Sequence, residues 1–82
     1  MDTYFYNLAL KMGGLQEDSA FHPEYLRTVY AGSLKEAKKV WAEVTDFNKK
    51  KDWDPKSQTY WGWAVVCLGS NDPEAKIEKD FL

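Results

Sequence analysis

One cysteine, Cys67, and one histidine, His22, are all that this 82-residue chain has of either residue. A lone cysteine excludes an internal disulfide and fits a reducing compartment. It lies in an apolar run, which points to a buried, inert thiol. A lone histidine, with no cysteine or second histidine near it, makes a poor metal site. It could serve as a general base only with a partner that the spacing does not reveal. Gly-rich phosphate loops and Cys/His clusters are missing as well. The chain therefore reads as non-enzymatic, with no metal and no cofactor. Long apolar runs are also missing: Ala64 to Leu68 falls far short of the ~20 residues that a membrane span needs. Met1-Asp2 opens without the basic and apolar regions of a secretory signal, so a soluble, cytoplasmic protein is expected. Charge of one sign is scarce too. Eleven Lys and Arg against thirteen Asp and Glu leave a net charge of −2. That balance makes duplex nucleic acid a poor partner, and it is too mild for a DNA mimic.

What is present is a single domain, residues 1–82, with 44% hydrophobic and 29% charged residues. Such proportions describe a folded globule, not a disordered tail. At this length only a little over ~60% of the unfolded surface can be buried, enough for one thin core layer. Aromatics stand at 16%, with four tryptophans. Large rings either supply buried area to a small core or remain outside to bind something.

The most periodic stretch is Ser33 to Lys50. Leu34, Ala37, Val40, Trp41, Val44 and Phe47 fall within an arc of roughly 140° at helical spacing. Lys35, Lys38, Lys39, Lys49 and Lys50 cluster opposite, and read as a solvated face or as a phosphate-binding surface. Ser33 and Glu36 form a capping box at the start, while Lys49 to Lys51 suit the negative end of the helix dipole. Asp54-Pro55 marks the limit beyond which a helix is not expected.

Around this helix the chain reads as strands and loops. Thr3 to Lys11 alternates, with Tyr4, Tyr6, Leu8 and Leu10 toward the core. Met12-Gly13-Gly14 ends that strand, and Leu15 to Glu24 reads as an irregular loop that includes Glu17, Asp18 and His22. Tyr25 to Ala31 is a second strand, separated from the helix cap by Gly32 alone. The piece Val29 to Lys38, VYAGSLKEAK, resembles the strand–Ala-x-Ser-cap–helix unit of many small phage-encoded proteins, anti-CRISPR proteins among them. That resemblance spans ten of the 82 residues. It implies a protein that acts by binding, as an inhibitor of a host or defence protein, and it assigns no site residue.

Lys51 to Gln58 reads as a loop in which Trp53 stands between Asp52 and Asp54. This ring either folds back over the core edge or projects as an anchor. Thr59 to Leu68 reads as the strongest strand, apolar on both faces and hence central. Its small residues Gly62 and Ala64 would let the helix approach, which puts Trp61 and Trp63 on the far face of the sheet. Asp72-Pro73-Glu74 resembles a helix start, so a short helix carrying Ile77 and Phe81 is favoured over a final edge strand. The expected fold is α+β, a three- to four-stranded, mainly antiparallel sheet of β-β-α-β order with a short C-terminal element. The helix at about 33–50 would cover one face, and the spatial order of strands would be second, first, third.

One helix cannot cover both faces of such a sheet. The functional reading is therefore a protein-binding module that uses Trp53, Trp61 and Trp63, with Asp52 and Asp54 beside them. Alternatively the tail or the 12–24 loop covers these rings, or two copies pair through them as a homodimer. A second function class is single-stranded nucleic-acid binding, with Trp61 and Trp63 as a base-stacking platform.

Overall fold

The structure, a computed structural model, describes residues 3–11, 21–61 and 63–78, with the backbone alone for 21–24. The expected turn at 12–14, the loop at 15–20, Gly62 and Phe81 lie outside the described residues. Five strands and one α-helix form among them: β1 (Tyr4–Lys11), β2 (Phe21–Ala31), α1 (Leu34–Val44), β3 (Trp53–Asp54), β4 (Thr59–Tyr60) and β5 (Trp63–Ser70). The sheet order is β2-β1-β5-β4-β3, with every neighbouring pair antiparallel. The fold is thus α+β, and the expected order of second, first and third strand is found in β2-β1-β5. The strand count is higher than expected because the third strand is cut in two and Trp53–Asp54 adds a short strand.

Register decides which faces are buried. Leu8 lies opposite Cys67, Leu10 opposite Val65 and Tyr6 opposite Val29. These residues share one face, and with Ala31, Ala37, Trp41, Ala42 and Phe47 they form the core under α1. The face expected against the helix, with Ala64 and Val66, is turned away from it, and Trp63, Val65 and Cys67 face inward instead. Because side chains alternate along a strand, the pairing with β1 fixes that choice for all of β5 at once. Tyr25 was expected to begin the second strand. In fact β2 begins at Phe21, and a register shift between Arg27 (opposite Leu8) and His22 (opposite Leu10) makes room for Pro23 on an edge strand.

The helix starts as its sequence dictates. Ser33 is extended and its side chain accepts a hydrogen bond from the Glu36 amide at 3.2 Å. It stops at Val44, well before Lys50. Thr45 donates its hydroxyl back to the Trp41 carbonyl at 2.7 Å. Asp46 then takes a left-handed conformation, φ 63°, which a short polar side chain tolerates better than most. A single 3-10 turn, Phe47–Lys49, follows. The turn swings Phe47 back over the end of the helix, where it is 1% exposed. Val44, expected on the core stripe, is 53% exposed and Ala42 is buried. No lysine lies in the last helical turn: Lys49 pairs with Asp46 at 3.6 Å, and Lys50 stands over the Phe47 ring at 5.2 Å.

The segment from Asn71 to Glu78 is not the expected helix. A turn forms, with the Glu74 amide donating to Asp72 Oδ1 at 2.9 Å and the Ala75 amide to the Asp72 carbonyl at 3.2 Å. The chain then runs on without helix as far as residue 78. β4 pairs with β5 only as far as Ala64, so the rest of that edge needs other partners. The Glu78 amide supplies one, donating to the Cys67 carbonyl at 2.8 Å. Ala75 and Ile77 pack against the core, and the buried Tyr6 hydroxyl donates to Asp72 Oδ2 at 2.7 Å. Burial first, and the Asp72 carboxylate second, push the Tyr6 hydroxyl well above its ordinary pKa.

Four rings surround Phe47: Tyr25 at 4.9 Å, Trp41 at 5.0 Å, Tyr60 at 5.3 Å and Trp53 at 6.2 Å between centroids. Phe47→Ala should therefore lower the unfolding free energy by ~3–5 kcal/mol in a denaturant titration. A loss below ~1 kcal/mol would show that the cluster closes up without it.

Candidate functional site: an aromatic hairpin tip

Two successive hairpins carry the aromatic residues out from the core. In the first, Trp53 lies opposite Tyr60 and Asp54 opposite Thr59, with residues 55–58 as the connection. Asp54 builds this loop. Its Oδ1 accepts from the Lys56 amide at 3.0 Å, and its Oδ2 from the Ser57 hydroxyl at 2.9 Å. Its carbonyl accepts from the Gln58 amide at 2.8 Å. Aspartate is suited to this because its short carboxylate reaches the amide two residues on. Gln58 closes the loop with φ 56°, and its side-chain amide donates to the Lys35 carbonyl at 3.0 Å, tying the loop to α1.

In the second hairpin Tyr60 lies opposite Trp63, so two residues connect the strands and the first of them is Trp61. Such connections favour residues that accept positive φ, above all Asn-Gly, Asp-Gly and Gly-Gly. Trp61 has φ 53°. A bulky side chain in that region is a conformational outlier and costs roughly 1–2 kcal/mol relative to a right-handed residue. Its ring is 67% exposed and meets Tyr60 edge-on, with centroids 6.4 Å apart. Burial therefore does little to offset the cost.

The five residues singled out from the sequence fall into different roles. Trp61 is at the tip and in solvent. Trp63, expected beside it on the far face, is half-buried on the core face and meets Tyr60 at 5.9 Å. The strand breaks between them, so the two indoles do not form the side-by-side platform that a continuous strand would give. Trp53 is half-buried, 6.3 Å from Trp41, and so folds over the core edge. Its outer side lines a crevice of about 120 Å3 with Ala42 and Pro55, rimmed by Lys39, Glu43, Asn48 and Gln58. Asp52 is exposed, and Asp54 is committed to its loop.

Tyr60, which touches Phe47, Trp61 and Trp63, is not singled out by the sequence, and Lys50, expected on the lysine face of the helix, has its ammonium 6.0 Å from the Tyr60 ring. One signal was available: a glycine directly after Trp61, inside an otherwise uninterrupted strand pattern.

The lysine stripe of α1 is not uniformly solvated. Lys35 and Lys39 are exposed, while Lys38 is half-buried and desolvation lowers its pKa. Cys67 is buried, donates to the Gly69 carbonyl at 3.3 Å, and burial pushes its thiol up. A thiol held protonated in this way is a poor nucleophile. Among the described residues no group of three or more His, Cys, Asp or Glu could hold a metal ion. No helix among them is long and apolar enough to cross a membrane. Comparison with protein-family models, curated proteins and solved structures gave no match.

The hydrogen bonds from Ser57 and then Lys56 hold the Asp54 carboxyl below its ordinary value of 3.8. A depressed folded value means that the carboxylate stabilises the loop above pH ~4 and that this is lost as pH falls through the folded value. Hydrogen exchange at the Lys56 amide, corrected for its intrinsic pH dependence, should lose protection below pH ~4. Asp54→Ala should lose it at neutral pH. Equal protection in the variant would remove Asp54 from the loop's support.

Proposed function

We propose that this protein is a non-enzymatic, cytoplasmic protein-binding module whose contact surface is centred on Trp61 and includes Trp53. Its partner would be a protein, in the manner of a phage-type inhibitor of a host or defence component. The supporting observation is the combination at Trp61 of an exposed indole and a left-handed backbone. Strain of this kind concentrates at sites where function retains it, and tryptophan is enriched among the residues that dominate binding energy. Tyr60 meets the Trp61 ring edge-on, and Tyr60 is itself held against Phe47 and Trp63, with the Lys50 ammonium 6.0 Å away. An aromatic anchor on a rigid base loses little conformational entropy on binding.

Single-stranded nucleic acid is the second reading. It has fewer supports, because the indoles of Trp61 and Trp63 are separated by the turn and the net charge is −2.

Trp61→Asn distinguishes binding from folding. Asparagine suits the turn, so the variant should be as stable as the parent or more stable, by up to ~1 kcal/mol. It should also fail to capture the partner that the parent chain retains from host lysate, identified by mass spectrometry. A variant markedly less stable than the parent would make Trp61 a folding residue. Undiminished capture would place the interface elsewhere, and a tryptophan fluorescence change on adding oligonucleotide at low salt would favour base stacking.

A further inference from the structure

The crevice against Trp53 is built from three parts of the chain. The helix α1 supplies Ala42, β3 supplies the indole, and the 55–58 connection supplies the Pro55 ring. Its walls are fixed in advance. The Asp54 carboxylate and carbonyl hold the connection, and the Gln58 side chain ties it to the Lys35 carbonyl at 3.0 Å. The space measures about 120 Å3, close to the roughly 150 Å3 of an apolar cavity that takes a benzene ring. It has room for one small ring.

The polar groups around this space include donors that lack acceptors. Trp41 gives its indole N–H to the Tyr25 carbonyl. Among the described residues the half-buried Trp53 indole N–H has no such partner, and neither the Lys39 ammonium nor the Asn48 side chain makes a hydrogen bond or ion pair. Lys39 and Glu43, four residues apart on α1, carry opposite charges that leave the rim neutral. A strongly charged ligand therefore gains little here.

An occupant matched to this place brings a small apolar ring, carbonyl oxygens and few N–H groups, and it carries no charge. Proline in an extended segment meets each requirement. It has a ring and no amide hydrogen, and in a polyproline II helix the carbonyls have no internal partners. Grooves lined by aromatic residues recognise such segments, which are already ordered and lose little entropy on docking. We propose that the Trp53 crevice binds a proline-rich segment of a partner protein. One proline ring lies against the indole and Pro55, and neighbouring carbonyls accept from the Trp53 indole N–H and the Asn48 amide. This names the partner chemistry of the contact surface proposed above and rests on Trp53 being part of it, but it does not involve Trp61.

Decaproline is the probe, with a Gly-Ser peptide of equal length as the control. Decaproline should shift the Trp53 indole N–H signal in NMR spectra, saturably and with half-saturation at or below ~1 mM, while the control leaves it in place. Trp53→Phe identifies that signal by removing it. Asn48→Ala changes an exposed side chain. It should weaken decaproline binding about fivefold, as the loss of one hydrogen bond does, with an unchanged denaturant midpoint. Trp61→Asn should bind decaproline as the parent does, so failure of the crevice and failure of the Trp61 surface are told apart. No saturable shift by ~10 mM decaproline overturns the proposal. So does an equal shift with the Gly-Ser peptide, undiminished binding by Asn48→Ala, or loss of binding in Trp61→Asn.

Discussion

The Phe47 ring holds this molecule together. The core layer available to so short a chain is thin, and helix and sheet alone would leave the end of α1 and the two small hairpins poorly anchored. Phe47 joins them by touching Trp41 of the helix, Tyr25 of β2, Trp53 of β3 and Tyr60 of β4. It reaches that position because the helix stops at Val44 and the left-handed Asp46 turns the chain inward. Edge-on and tilted ring contacts add of order 0.5–1.5 kcal/mol each beyond the area they bury. Lys50 over Phe47 and Tyr60 adds a cation on the solvent side.

From this hub the aromatic residues grade outward. Trp41 is sealed, with its indole N–H donated to the Tyr25 carbonyl at 2.8 Å. Trp53 and Trp63 are half-covered, and Trp61 is in water. A buried base and an exposed tip are what a rigid recognition element needs, since the base fixes the tip before any partner arrives. Burial offsets little of the left-handed backbone at Trp61, and the proposed contact with another molecule rests on that.

Much of this was legible in the sequence. The capped helix start at Ser33 and the inward face of β1 followed from the cap and the spacing, and the order of the three main strands from the handedness of the crossover. The end of the helix did not, because the apolar spacing continues through Phe47 even though the chain turns between them. A buried residue at the right interval looks the same whether it sits on the helix or folds back over its end. The break between Trp61 and Trp63 was missed for a similar reason. Trp-Gly-Trp satisfies strand alternation, so the glycine was a weak signal, and the pairing of Tyr60 with Trp63 is what shows the hairpin. Once the hairpin is present, the register with β1 sends Trp63 inward, opposite to the side expected. The sequence places Asp54 beside Trp53 as a binding residue, and three local hydrogen bonds tie it to its own loop.

The outward grading of the four indoles can be read directly by adding a soluble paramagnetic chelate and following the indole N–H signals by NMR. Strong relaxation is expected for Trp61, weaker relaxation for Trp53 and Trp63, and a Trp41 signal that is barely affected. Four indoles relaxed to the same extent, or Trp61 protected as well as Trp41, would contradict it.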